Sequence, residues 1–204
     1  MNPLDTIIAK SVREVLEEDL GVRTYKKIEK EMHETLGLSM LEATQDFSKL
    51  DLVLRKFFGN NVIKMERKIF KRIVELDKKT SDSMIKIKDP HVTKTIFESY
   101  GDPIKKIILE KLLKEPKSIP QAIKELELPQ ASAYRRAKEL IRDGLLIMAG
   151  HTKATDGRRV NEYETTFSRA TFDVQENGLS VSVKLQNKFN KNSYALNLIS
   201  EETT

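Results

Sequence analysis

Apolar residues in the first 76 positions recur three or four places apart, which is the spacing of one face of a helix. The first such stripe runs from Leu4 to Leu16, and Pro3 suits the first position of its helix. Polar residues that can cap a helix precede the three later stripes: Thr24, Ser39 and Asn61. Glycines, which often end helices in the left-handed conformation, follow the first three stripes: Gly21, Gly37 and Gly59. The pattern predicts an N-terminal module of four helices.

The next stretch, residues 77–90, is mostly polar and is interpreted as a linker between domains. A helical pattern resumes over His91–Tyr100. Asp102 and Pro103 then combine a helix cap with a proline at the first helical position, and the helix that they begin ends before Pro116. A second domain is therefore expected after the linker.

Two further short helices with a tight break between them follow in this domain. Ser118 and Gln121 have the spacing of a capping box, which opens the first of the two. The break at Glu127–Pro129 separates it from a helix over residues 130–143, which Gly144 ends. Two helices joined by a short turn form a helix-turn-helix, whose second helix enters the major groove of DNA.

The helix over 130–143 divides into two faces when its residues are placed 100° apart. The apolar face, expected to pack inward, consists of Ala133, Ala137, Leu140 and Ile141. The outward face consists of Gln130, Ala131, Tyr134, Arg135 and Lys138, with Ser132 and Arg136 at its margin. Arginine and glutamine can read guanine and adenine edges, whereas lysine and tyrosine can hold phosphates. The small Ala131 would let the backbone approach the groove closely.

A basic hairpin is predicted directly after this helix, from two strand-like runs at 145–150 and 160–167. The loop between them contains an Asp-Gly turn and three cations, Lys153, Arg158 and Arg159. Such a hairpin is typical of a wing, which follows the DNA backbone or the minor groove. The helix alone could equally be an amphipathic helix with a solvated basic face, but a purely structural hairpin needs neither this length nor these cations.

Three segments carry a resemblance to a known family: Ser99–Leu109, Pro129–Leu140 and Asp143–Leu146. Over about 70 residues they resemble the archaeal branch of the ArsR-like winged-helix regulators. The resemblance implies a repressor-type transcription factor, often dimeric, that reads a short palindrome. The chain departs from the metal-sensing members because it has no cysteine. The N-terminal helices are weakly similar to a small archaeal signalling output domain.

The C-terminal residues 170–204 are expected to form a hairpin and a polar tail. Asn177-Gly178 is a strong turn signal between two alternating strands. Because an isolated hairpin is marginal in water, its apolar side must be covered, either by the chain's own domains or by a second subunit. A subunit contact is favoured here, since two-fold regulators need such a surface. The tail is expected to fray, or to dock Tyr194, Leu196 and Leu198 as a last strand.

Composition limits the remaining classes of function. The 204 residues are 39% hydrophobic and 33% charged, with a net charge of +5 and no cysteine. No apolar run is long enough to span a membrane, and the N-terminus lacks the pattern of a secretory signal, so a cytoplasmic protein without membrane contact is expected. Three separated histidines predict no metal site, and we expect no cofactor, no catalytic set and no enzyme activity.

The predicted fold is mainly α, with an α+β C-terminal part. Its expected divisions are a helical sensor or interaction module (1–76), a linker (77–90), a winged helix-turn-helix (91–169), and the hairpin with its tail (170–204). The leading hypothesis is a sequence-specific regulator that binds double-stranded DNA, forms a homodimer, and receives a protein or small molecule at its N-terminal module. The alternative is a winged-helix interaction module of the transcription machinery with only non-specific affinity for DNA.

Overall fold

The computed structural model describes residues 2–77, 84–153, 157–176, 178–190 and 192–200. Within them the chain combines helices with two antiparallel sheets, so the predicted mixture of α and β structure is confirmed. The buried apolar side chains form one cluster that extends from the first helix to the last.

The N-terminal helices follow the predicted glycine stops. Helix α1 (Pro3–Leu36) contains both of the first two predicted helices, which meet at a kink where Gly21 has a φ of 72°. Gly37 ends α1 in the left-handed conformation, with a φ of 65°. The capping box predicted at Ser39 is present, since the Ser39 amide donates to Glu42 Oε2 at 2.8 Å.

The rest of the helical region differs from the expected single third helix. That stretch is divided into α2 (Met40–Ala43) and α3 (Phe47–Phe58), and α4 (Val62–Ile73) follows. Asn61 precedes α4 as predicted, but its side chain makes no capping hydrogen bond.

The first sheet brings together segments that are far apart in the sequence. Strands β1 (Val74–Asp77), β2 (Met84–Ile87), β6 (Phe167–Gln175) and β7 (Gly178–Leu185) pair in the order β1-β2-β7-β6. Strand β2 lies inside the stretch interpreted as a linker, where Ile85 is buried and pairs with Val183. The second half of the expected linker is thus part of the core, while its residues 78–83 lie outside the described residues.

The predicted C-terminal hairpin is confirmed as β6 and β7, although Asn177 of its turn lies outside the described residues. Helix α5 (Pro90–Gly101) packs against it, so the chain itself covers part of its apolar side, while Val174 at the tip is 86% exposed. Phe172 meets the rings of Phe97 and Tyr100 edge-on, with centroids 5.8 and 5.6 Å apart.

The C-terminal tail is helical where it was expected to fray or form a strand. Helices α9 (Asn187–Asn190) and α10 (Tyr194–Ser200) follow β7, and α10 lies against α4. The start of the chain holds the tail, since the Asp5 carboxylate accepts from Ser193 Oγ at 2.7 Å and from the Tyr194 amide at 2.9 Å.

Residues 103–165 are consequently inserted between two parts of the chain, 2–101 and 166–200. The described residues of these two parts pack together through α4 and α10 and share the first sheet, and we call them the helical body. Residues 103–165 comprise α6 (Pro103–Lys114), β3 (Lys117–Ser118), α7 (Ile119–Glu125), α8 (Gln130–Arg142), β4 (Leu146–Lys153) and β5 (Arg159–Thr165). Their strands form the second sheet, in the order β3-β5-β4. We call this stretch the nested unit.

Candidate nucleic-acid interface

Helices α7 and α8 are joined by a short turn, as the sequence predicted. Ser118 caps α7, since its Oγ accepts from the Gln121 amide at 3.4 Å. The turn contains Glu127, which has a φ of 52° and is the only described residue other than glycine with a positive φ. A left-handed residue there reverses the chain within a few positions, and α8 starts at Gln130.

The two faces of α8 are oriented as predicted. Ala133, Ala137 and Leu140 are buried and Ile141 is half-buried. The outward side chains are exposed, namely Gln130, Ala131, Tyr134, Arg135 and Lys138. Ser132 is half-buried, and its hydroxyl donates to the Pro129 carbonyl at 3.0 Å, so it contributes to the start of the helix.

Ion pairs that the sequence reasoning missed fix α8 to the start of α6. Arg136 Nε lies 2.7 Å from Asp102 Oδ2, and Lys105 Nζ lies 2.9 Å from Glu139 Oε2. The hydrogen bond from Lys105, with the charges of Lys105 and Arg136, holds the pKa of Glu139 below its ordinary value. The i, i+3 spacing of Arg136 and Glu139 was the available signal. These contacts set the direction in which the outward face points.

The predicted hairpin after α8 is present as β4 and β5. Lys153 and Arg159 are paired across it, and both of them and Arg158 are exposed. Residues 154–156 of the loop, including the aspartate of the Asp-Gly turn, lie outside the described residues. His151 Nδ1 lies 2.9 Å from Asn161 Oδ1 across the two strands, a cross-strand pair that the sequence analysis did not identify.

The outward face of α8 and the hairpin meet at one groove. A depression of about 370 Å³ lies between them, with polar side chains from α8 (Tyr134, Lys138) and from β5 (Arg159, Asn161). A second depression of about 620 Å³ follows α8 and includes Tyr134, Arg135 and Lys138. Tyr134 and Lys138 line both depressions, so the two adjoin along α8 and bring Arg159 of the hairpin close to this face of the helix. The predicted residues Gln130, Ser132, Lys153 and Arg158 line neither depression.

Among the described residues, no group of three or more histidine, aspartate or glutamate residues could hold a metal ion. No helix among them is both long and apolar enough to cross a membrane. Comparison of the chain with known protein families, with characterised proteins and with solved structures gave no match.

Proposed function

We propose that the chain is a sequence-specific transcription regulator that binds double-stranded DNA through the nested unit. In this proposal the nested unit is a winged helix-turn-helix, with α8 in the major groove and the hairpin of β4 and β5 as the wing. The order of its elements supports this, because a helix pair with a short turn is followed directly by a two-stranded hairpin.

The observation that carries the proposal is the shared groove between α8 and β5. Tyr134 and Lys138 of α8, which can hold phosphates, share this groove with Arg159 of β5. The same two side chains line the adjoining depression beside Arg135, which can read bases. A purely structural helix and hairpin would have no reason to place Lys138 and Arg159 on the same depression. A duplex with α8 in its major groove would bring a phosphate strand to both.

The chemistry of each side chain suggests a division of roles. Arg135 and Gln130 can form paired hydrogen bonds with guanine and adenine, so they are assigned to base reading. The remaining assigned side chains, Tyr134, Lys138, Lys153, Arg158 and Arg159, are assigned to the backbone. Ala131 permits close approach of α8, and Ser132 is assigned to the margin of the interface.

The resemblance to archaeal ArsR-like regulators leads to further parts of the proposal. The protein would act in the cytoplasm as a homodimer on a palindromic site, with its N-terminal helices receiving a protein or small-molecule signal. A monomeric mass in light scattering at micromolar concentration would contradict the dimer.

A selection from a random library of duplexes tests the central claim. We expect enrichment of one short sequence, which then binds at least about a thousandfold more tightly than bulk DNA at physiological salt. Equal and weak binding to all sequences would contradict the regulator and favour the alternative, an interaction module of the transcription machinery.

A further inference from the structure

A second basic surface lies on α4, in the helical body and apart from the nested unit. Six cations line one depression of about 400 Å³, namely Lys64, Arg67, Lys68, Lys71, Arg72 and Lys88. Five of them come from α4 at intervals of three and four residues, so they share one face of that helix. The opposite face carries Val62, Ile69 and Phe70 into the core. We call this surface the α4 face.

Two carboxylates among the described residues contact one end of the α4 face. Arg72 contacts Glu18 at 2.8 Å and Asp19 at 2.5 Å, and Lys68 lies 3.3 Å from the same Asp19. These two acids come from α1. Both lie beside Arg72, at the end of the α4 face that is farther from Lys64. Exposed ion pairs of this kind contribute little to stability.

The C-terminal helix helps to hold this surface in place. Arg67 Nε donates to the Leu198 carbonyl of α10 at 2.8 Å, and Lys88 lies 3.7 Å from Glu75. Lys64, Lys68 and Lys71 are exposed. The cations with these contacts and the exposed lysines together form a row of positive charge on a helix that packing holds in place.

We infer that the α4 face binds the phosphate backbone of nucleic acid without reading its sequence. Every described residue that lines the depression is lysine or arginine. A protein partner usually needs an apolar or aromatic anchor at the centre of its interface, whereas phosphates need only cations. Positions 64–72 extend over about 12 Å of helix, which matches roughly three or four phosphates of one strand.

Glutamine variants test this inference. The triple variant Lys64→Gln, Lys68→Gln, Lys71→Gln is compared with the unaltered chain on a random-sequence duplex between about 50 and 200 mM salt. Each lost phosphate contact lowers the slope of log affinity against log salt by about 0.9, so a reduction of roughly 2 to 3 is expected. The preference for a selected sequence over random DNA should stay the same, because the α4 face reads no bases.

Two matched variants control for net charge and for folding. Lys26→Gln, Lys27→Gln, Lys30→Gln removes the same charge from exposed positions of α1 that do not line the depression, and it should leave most of the slope intact. Lys64→Arg, Lys68→Arg, Lys71→Arg keeps the charge on the α4 face and should keep the slope. An equal loss in the α1 variant would overturn the inference, because net charge would then explain the effect.

The outcome separates this inference from the proposed function. One outcome is that the α4 variant has a smaller salt slope while substitutions on α8 have no effect on binding. This outcome would support the inference and would contradict the proposed reading surface on α8. An unchanged slope in the α4 variant would overturn the inference alone. Competition by polyglutamate as strong as that by duplex, at equal charge concentration, would assign the surface to acidic proteins and overturn the assignment to phosphate.

Discussion

Glu66 is a carboxyl group enclosed between α4 and the C-terminal helix, with 3% of its surface exposed. The Tyr194 hydroxyl donates to its Oε2 at 3.0 Å. Burial raises the pKa of Glu66 to about 8, and the Tyr194 hydrogen bond offsets this only in part, while the charge of Asp51 adds to the increase. The folded protein therefore binds a proton at Glu66 that the unfolded chain releases near its ordinary pKa of 4.5.

Stability should consequently fall as the pH rises. Because the pKa of Glu66 is higher in the folded protein than in the unfolded chain, Glu66 contributes to the free energy of unfolding. This contribution is fully present below pH 4.5 and is lost as the pH rises through about 8. The full change is about 5 kcal/mol. Denaturant unfolding at several pH values should show that the free energy of unfolding of the Glu66→Gln variant decreases less with pH than that of the original protein. Glu98→Gln, at an exposed site on α5, should not alter it, and a Glu66→Gln profile as steep as the original would contradict the assignment.

Gly144, at the end of α8, is a second residue whose identity has structural consequences. Its φ is 75°, and a Cβ there would lie 2.8 Å from Ile7 Cγ1 of α1. Gly157 has a similar φ of 81°, but a Cβ there would meet no heavy atom within 4 Å. Substitutions at the two glycines can therefore distinguish the effect of backbone strain, which both share, from that of a steric clash, which only Gly144 has.

Gly144→Ala should lower the free energy of unfolding by about 2 to 4 kcal/mol, because it adds a clash to the left-handed strain. Gly157→Ala should cost only about 1 to 2 kcal/mol, from strain alone. Thermal or denaturant unfolding of both variants measures the difference, and Ile7→Ala should partly restore the Gly144→Ala protein. Equal losses at the two positions would show that α1 does not press on this turn.

At the scale of elements, the helix α8 and the hairpin after it are expected to contribute to DNA binding in different ways. Arg135→Ala should cost about 1–3 kcal/mol on the selected sequence and relax its preference at one base pair, if Arg135 reads guanine. Arg158→Ala with Arg159→Ala should weaken all sequences alike and reduce the salt slope by up to about 2. Titrations of selected and random duplexes at several salt concentrations measure both effects.

Lys124→Ala, at an exposed position on α7, serves as the control for these variants. It removes one charge from outside both depressions of the interface. Unchanged binding in the Arg135 variant and in the double variant would remove the assigned reading surface.

Helix α8 and the hairpin after it were predicted well. The faces of α8 and the hairpin that follows depend on local periodicity and on turn residues, so the sequence was sufficient to orient Gln130, Arg135 and Lys138. Strand β2 could not be found in this way. It has only four residues, and it pairs with the equally short β1 as well as with β7 about a hundred positions later. Strands this short show too little alternation to be recognised, so the polar residues around them resembled a linker. Helix α10 was missed because its apolar side chains are buried against the distant α4.

The ion pairs around Arg136 could be predicted only in part from the sequence. The i, i+3 spacing of Arg136 and Glu139 is visible in the sequence, but Asp102 and Lys105 belong to another helix. Only the packing of α8 on α6 brings the four charges together. Sequence alone therefore predicted which residues α8 exposes, but not what fixes its direction.

At the scale of the whole molecule, the last helix belongs to the same body as the first. Ala195, Leu196, Leu198 and Ile199 are buried, and the Asp5 carboxylate accepts hydrogen bonds from the start of α10. Truncation before Ser193 would expose the apolar surface of α4 and leave Asp5 buried without these partners. The N-terminal module predicted from sequence is thus incomplete without the end of the chain.

Removing the chain from Ser193 onward should destabilise the whole protein by about 4 kcal/mol or more, since it deletes several buried side chains. Denaturant unfolding monitored by circular dichroism tests this. Asn197→Ala, at an exposed position in α10, should stay within about 0.5 kcal/mol of the original. A truncated chain as stable as the full one would show that α10 is not part of the core.

The position of the nested unit has a mechanical consequence. A domain on one flexible tether can swivel freely, whereas residues 103–165 are joined to the helical body at both ends and also touch it at Gly144. Thr166, directly after β5, reinforces the second junction, since its amide donates to the Leu145 carbonyl at 3.0 Å. A conformational change in the amino-terminal helices would therefore be transmitted to α8 as a rigid-body rotation of the whole nested unit, and not as free motion about a flexible linker.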